Sequence, residues 1–487
     1  MVHSKDKSFL SKTFRLTAVL ICLLSLTVAG VAQKIDSLSH TVDRAEQINP
    51  TSVDLIFSDK QRLTIDFYGE NIFRVFEDTS GNMIRQPQAM PPANILVDNP
   101  RREVGPLRIT NTANTITIAS AKVSIEINKA TSLIKVVNNA SRKVVLQTVK
   151  PFSFSAQKTT LVLKENPDEY FFGGGVQNGR ISHKHNSIQI VNENSWTDGG
   201  VASPAPFYWS TNGYGMMWYT FKPGRYDFGS KTNGEVILTH NTNYLDVFFM
   251  INDGAPKLLN DFYQLTGHPV LLPKFAFYEG HLNAYNRDYW VEDSTGILFE
   301  DGKHYKESQK NNGGIKESLN GEKNNYQFSA RAVIDRYNHN DMPFGWILPN
   351  DGYGAGYGQT STLDSNIANL KSFGDYARKH GVQIGLWTQS DLHPKAGISA
   401  LLQRDIIKEV RDAGVRVLKT DVAWVGDGYS FGLNGVADVA HILPYYGNNA
   451  RPFFISLDGW AGTQRYATVW SGDQTGGNWE YIRFHIP

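Results

Sequence analysis

Asp421 stands in the stretch VLKTDVAWVGDG and Asp473 in VWSGDQTGG. Each follows a short apolar run and opens into polar, glycine-containing sequence. An acid at the end of a strand-like run is delivered to a loop, where it meets solvent and ligand rather than core. One such acid often only caps a loop. Two at the same rim of one fold carry the chemistry that glycosidic bond cleavage requires. One carboxyl protonates the leaving oxygen, and the other attacks the sugar or activates water. Their separation is not written in the sequence, so retention and inversion both stay open on the residues alone. Asp427, between Gly426 and Gly428, and Glu480 are rival acids in the same two stretches.

A fold must bring these acids together. From about residue 34 to 270 the chain has short β-branched and aromatic runs broken by Gly, Asn, Asp and Pro: 63–68, 71–76, 115–118, 122–127, 215–220 and 243–251. Many short strands without long helical periods predict a β-sandwich. Near Pro269–Pro273 the pattern changes. Strands are predicted at 276–281, 345–349, 383–387, 416–420, 453–457 and 467–471, with helices at 328–339, 365–380, 397–413 and 433–443 between them. Repeated strand–helix alternation predicts parallel strands with crossover helices, and a (β/α)8 TIM-type barrel places its site where those strands end. Asn350, Asp351, Asp421, Asp458 and Asp473 all fall there. A doubly wound open sheet is the alternative. Six strands are countable and a closed barrel takes eight, so the chain reads as a barrel that is C-terminally incomplete, a fragment of a longer protein. The expected organisation is 1–32 as a signal peptide, 33–270 as the sandwich and 271–487 as the barrel. A solvated polar insertion is expected at about 300–325.

The chain has 487 residues and a formal net charge of +1, which gives no basic excess for nucleic acid. Lys5, Lys7, Lys12 and Arg15 precede an apolar run, Leu16–Val31, with Gly30 and Ala32 as small residues before Gln33. This is the pattern of a cleaved export signal, and the run is short for a span, which takes about 20 residues. Cleavage would take the one cysteine, Cys22, and leave a net charge of −2. The mature chain is expected to be periplasmic or extracellular, with neither a disulfide nor a stable membrane span.

Four blocks carry a resemblance: YFFGGGVQNG (170–179), FGWILPNDGYG, LKTDVAWVG and GWAGTQRYATVWSGD. They resemble successive blocks of glycoside hydrolase family 31, from roughly residue 50 to the end. The resemblance implies an N-terminal β-sandwich, a (β/α)8 barrel and retaining hydrolysis of α-glycosides, with no metal or organic cofactor. It implies Asp421 as nucleophile and Asp473 as general acid/base, with Arg465 and Trp470 shaping the site. It also makes Phe171–Gly175 a sandwich loop dipping toward the site.

This sequence departs from the family's commonest pattern. Lys419-Thr420 precede Asp421, and Val422-Ala423 follow it. Leu457, beside Asp458, stands where the glucosidase branch usually has an arginine. Asn350-Asp351 run into Gly352-Tyr353-Gly354. Such changes lie in the walls that read sugar hydroxyls, where a buried acceptor left unpaired costs about 1–3 kcal/mol. The variant pattern resembles the branch acting on α-galactosides and α-N-acetylgalactosaminides. An α-glucosidase or α-xylosidase of the same family, or a truncated and inactive carbohydrate-binding fragment, are the alternatives. Asn350 and Asp351 are expected to bind sugar, Trp387 and Trp424 to line it, and Asp458 and Trp460 to shape the subsite. His281 is expected either to face the cleft or to be a hydrogen-bonded rim histidine. Trp346, inside a strand, is expected to pack in the core. His183 and His185 lack a third ligand nearby and read as a strand-edge polar pair.

Overall fold

The computed structural model describes residues 41–90, 92–177, 180–191, 201–282, 289–308, 319–321, 326–349, 364–388, 406–420, 429–456, 459–470 and 479. The N-terminal part contains three antiparallel sheets. An eight-stranded sheet runs Val42–Asn49, Ser52–Phe57, Arg62–Gly69, Ile72–Asp78, Tyr244–Ile251, Tyr214–Trp218, Val201–Ser210 and Phe171–Gln177, in that spatial order. A five-stranded sheet faces it, and Phe171 stacks on Phe228 across the gap at 4.7 Å. A second five-stranded sheet, a meander from Arg108–Asn111 to Val144–Gln147, contributes Ile116, Ile118 and Val123 to the same core.

Residue patterning explains the layering. Val123–Asn128 alternates buried and half-exposed positions, as a sheet with one wet face requires. Ile72–Asp78 and Tyr244–Ile251 are buried almost throughout, because the middle of the large sheet is covered on both faces. That cover traps polar groups. Arg74 bridges Asp246 on the neighbouring strand through two bonds of 2.7 and 2.6 Å, and its guanidinium lies 4.9 Å from the Tyr219 ring. Phe171–Gln177 is a strand of this sheet rather than the expected loop. Gly175 lets it hug its neighbour, since a Cβ there would lie 2.2 Å from the Ser203 carbonyl oxygen. His183 is buried and bonded through Nε2 to the Gly173 carbonyl at 2.8 Å, so it braces that strand.

Glu77 is 4% exposed in the same sheet. Burial pushes its carboxyl up to about 8, with Asp59 adding a smaller push. The folded chain therefore holds a proton that the unfolded chain releases near pH 4.5. Stability from this residue is full below that pH and is lost as pH rises to about 8. Glu77→Gln is expected to remove this slope and to stabilise the protein at pH 8.5 by several kcal/mol, since each tenfold difference in proton affinity is worth about 1.4 kcal/mol. Urea midpoints of both proteins at pH 5 and pH 8.5 test this. Equal midpoints at both pH values for the parent would exclude it.

After the sandwich strands comes a helix, Ala255–Thr266, bounded by Gly254 and Gly267, both with positive φ. A parallel sheet follows, with strands Glu279–Leu282, Phe344–Leu348, Gln383–Thr388, Val417–Thr420, Phe454–Ser456 and Thr468–Val469 in sequential spatial order. The helices Ala330–His339, Asp364–Lys379 and Tyr429–Tyr446 lie at the expected intervals. Of the helix expected at 397–413, the described part is a short turn, Ile406–Lys408, continued as a π-turn, Glu409–Ala413. The first strand starts three residues later than expected, because Lys274–Phe277 forms a 3-10 turn. Ile347, Ile384, Leu386, Leu418 and Phe454 pack against the helices, while Trp346, Leu348, Val417 and Phe453 form a separate core on the other face. Trp346 is thus core, as its place inside a strand implies.

The described start of the expected polar insertion, 300–308, belongs to a structured unit that begins before it. Tyr289–Leu298 and His304–Ser308 pair as a hairpin, and Trp290, Phe299, Tyr305 and Phe328 form a small aromatic core with ring centroids 4.9–5.7 Å apart. A few aromatic residues spread through polar text carry this fold, so average polarity misses it.

Candidate active site

All six strands of the parallel sheet run the same way, so their carboxyl ends share one edge. Thr420 is the last residue of the fourth strand, and Asp421 follows it. Ser456 ends the fifth strand two residues before Asp458. Val469 ends the sixth, followed by Trp470 and then the Asp473 segment. Asp421, Asp473, Asn350, Asp351, Trp424 and Asp458 lie outside the described residues, as do the rival acids Asp427 and Glu480. Trp387 is described through its backbone, which pairs with Lys419 in the third and fourth strands.

The described residues at this edge are informative. Lys419, which stands out in the sequence only as a departure from the family pattern, is 4% exposed and places Nζ 4.3 Å from the centre of the Trp470 ring. An ammonium in a low-dielectric interior gains from the negative face of an indole. The two side chains link the end of the fourth strand to the residue just past the sixth, across the fifth. Trp470 also bonds through its backbone N–H to the Ser456 carbonyl at 3.2 Å. The signal for Lys419 is present in the sequence: a lysine inside an otherwise apolar strand has to find a partner when it is buried.

Two expected site residues have described partners in the N-terminal part. Trp460 is 4% exposed. Its indole stacks on Tyr429 at 3.9 Å, and its Nε1 donates to the Thr220 carbonyl at 2.9 Å. It therefore packs in the seam between the sandwich and the parallel sheet. Arg465 donates to the carbonyls of Gly462, Leu96 and Asn94, and burial lowers its pKa. Gln464 bonds to Thr266 and Gly267, and its own carbonyl accepts from the Val270 N–H at 2.8 Å. The stretch GWAGTQR is thus a weld. Its long polar side chains satisfy carbonyls of the loop at 94–96 and of the helix end at 266–267. Gly459 completes the seam, because a Cβ there would lie 2.5 Å from the Ser203 Cβ.

His281 faces away from the inner core. Its neighbour Gly280 lies under the Trp346 ring, and the strand period of two turns His281 to the helix side. There its Nδ1 lies 3.3 Å from the Tyr337 hydroxyl, and burial lowers its pKa. It is the hydrogen-bonded histidine of the two readings, held by a helix tyrosine.

Comparison with known proteins agrees with this architecture. Residues 62–227 match the model for the glycosyl hydrolase 31 N-terminal galactose mutarotase-like domain, and residues 430–487 match that for the glycosyl hydrolases family 31 TIM-barrel domain. Alpha-glucosidase 2 of Bacillus thermoamyloliquefaciens is 20% identical over 92% of this chain and 61% of its own length. An alpha-xylosidase of Emericella nidulans is 26% identical over 27% of this chain and 17% of its own. Among solved structures, a dextranase of Flavobacterium johnsoniae in complex with isomaltotriose superposes with a TM-score of 0.67 at 15% identity, over 90% of this chain and 57% of that one. An α-xylosidase from a soil metagenome gives 0.63 at 14% identity, over 91% and 69%. At those identities the structures speak for the fold alone. The chain spans 61% of the length of the α-glucosidase it matches.

Proposed function

We propose, from the premise that two matched domains and the relatives support glycoside hydrolase family 31 for this chain, that it is a retaining α-glycosidase. Asp421 attacks the anomeric carbon and forms a β-linked ester. Asp473 protonates the departing oxygen and then takes a proton from the incoming water. The observation that carries the reading is the sheet order: the strands that precede these two acids are parallel and separated by a single strand. Asn350 and Asp351 bind sugar hydroxyls, with Trp387 and Trp424 as apolar walls and Asp458 at the subsite. The carbohydrate is the non-reducing end of a glycan. The chain works after export, and among the described residues no helix is long and apolar enough to cross a membrane.

Leu457 and the Asn350-Asp351-Gly352 run favour an axial-hydroxyl sugar, α-N-acetylgalactosamine or α-galactose. A second reading, an α-glucoside or α-xyloside substrate, is favoured by the names of the relatives above. Release of nitrophenol from the α-N-acetylgalactosaminide, galactoside, glucoside and xyloside separates the two. The assay is run on this chain and on one extended through its downstream reading frame. Turnover of either of the first two supports the galacto reading. Turnover of glucoside or xyloside alone overturns it in favour of the second.

A further inference from the structure

At the end of the sandwich where its two facing sheets change strands lies a cleft of about 950 Å³. Its walls include Arg85, Lys158, Lys222, Asn241, Asn243 and Tyr244. These residues are far apart in the chain. Lys158 closes the turn before Thr159–Lys164, Lys222 precedes Gly224–Phe228, and Asn241 and Asn243 lie in the turn before Tyr244–Ile251. No aspartate or glutamate is among the lining residues. Asp78 pairs with Arg85 at 2.9 Å and offsets that one charge. The two ammonium groups have no such partner among the described residues.

The backbone beneath them is fixed. Thr159 donates to the Thr242 carbonyl at 2.8 Å, and Thr242 donates through its hydroxyl to the Tyr244 carbonyl at 2.8 Å. The Asn241 N–H reaches the Pro223 carbonyl at 3.0 Å, and His240 Nδ1 reaches the Lys222 carbonyl at 2.9 Å. Held turns that bring amides and cations to one concavity are a preorganised polar site, since little loop order is lost on binding. The walls also connect to the catalytic edge. Thr220, two residues before Lys222, accepts from Trp460, and Met90, beyond Arg85, accepts from Ser430 at the start of the helix that follows the fourth parallel strand.

We propose that this cleft binds an anionic saccharide, one bearing sulfate or carboxylate groups. Lys158 and Lys222 meet the acidic groups, and Asn241 and Asn243 bond to neighbouring hydroxyls. The choice of a glycan over another polyanion rests on the glycosidase reading. The binding itself does not, so the test measures binding without hydrolysis.

The test is affinity electrophoresis of the whole chain in gels containing dextran sulfate or polygalacturonate, read relative to uncharged dextran. Retardation by at least one acidic polymer is expected, and which one identifies sulfate or carboxylate as the group recognised. Lys158→Glu with Lys222→Glu is expected to weaken it roughly tenfold, the equivalent of one tenfold step in affinity. Lys143→Glu with Lys257→Glu, which makes the same change of charge elsewhere, is expected to leave most of it. Asn241→Ala with Asn243→Ala is expected to weaken it severalfold with no change of charge. The proposal is overturned if neither polymer retards the parent. It is equally overturned if the two lysine pairs lose retardation alike, or if the asparagine pair has no effect. All the substituted residues are exposed, so unchanged thermal midpoints confirm that folding is not the cause.

Discussion

Asp473→Ala is expected to cut turnover of glycosides with poor leaving groups by about 10²–10⁴-fold, the usual contribution of a general acid. The loss should depend on the leaving group. A dinitrophenolate departs without a proton, so formation of the glycosyl ester should survive the substitution while its hydrolysis slows. The ester then accumulates, and a burst of dinitrophenol is the readout. Azide needs no general base, so it should restore turnover and give the α-glycosyl azide, with configuration retained. Asp421→Ala is expected to behave in the opposite way. No ester forms and no burst appears. Azide enters from the vacated face and gives the β-glycosyl azide. Proton NMR of the two products decides the assignment. The same azide from both variants, or exchanged anomers, would refute the roles given to these acids. The comparison uses whichever nitrophenyl glycoside the chain, or its extended form, turns over.

Asp246→Ala is expected to cost about 3–5 kcal/mol of stability, because it leaves the Arg74 guanidinium buried without its carboxylate. The side chains are 3% and 1% exposed, so water cannot replace the lost partner. Burial pushes the Asp246 carboxyl up to about 6, and the facing guanidinium limits that rise. The pair need not be worth this much in itself. Arg74→Met with Asp246→Leu removes both charges together and should recover most of the loss, since the desolvation of both groups also disappears. The Arg85 carbonyl, which accepts from Arg74 at 2.5 Å, would still lose a donor, so recovery is expected to be incomplete. Urea midpoints of the two variants and the parent measure this. A single variant as stable as the parent would show that the pair is solvated in solution. Glycosidase activity is not needed for the measurement, so it stands apart from the assignment of the acids.

The parallel strands were legible because their signal is local. Phe344–Leu348, for example, is apolar over a strand's length and is soon followed by polar residues. Alternation at Val123–Asn128 marks a strand with one wet face in the same way. The hairpin Tyr289–Ser308 was not legible, since four aromatic residues dispersed from Trp290 to Phe328 become a cluster only once the chain has folded back. The loop expected at Phe171–Gly175 came from the family resemblance alone. In the sheet those glycines are what allows a neighbouring backbone to come close.

At the candidate site the division is sharper. The sequence by itself determined which acids stand after strands, and the resemblance to a glycosidase family rests on those same stretches. It could not tell a residue that faces substrate from one that faces another domain. Trp460 and Arg465 have the composition of sugar-binding residues, yet Thr220, Leu96 and Asn94 occupy them. Their partners lie 240, 369 and 371 residues away in the chain. Lys419 and Trp470 likewise meet only because a third strand sets the spacing between theirs. Periodicity and composition act over a few neighbouring residues, so they determine the elements and where polar residues leave them. Which surfaces those elements turn toward each other depends on burying the largest apolar area with every buried polar group paired, and only the assembled chain settles that.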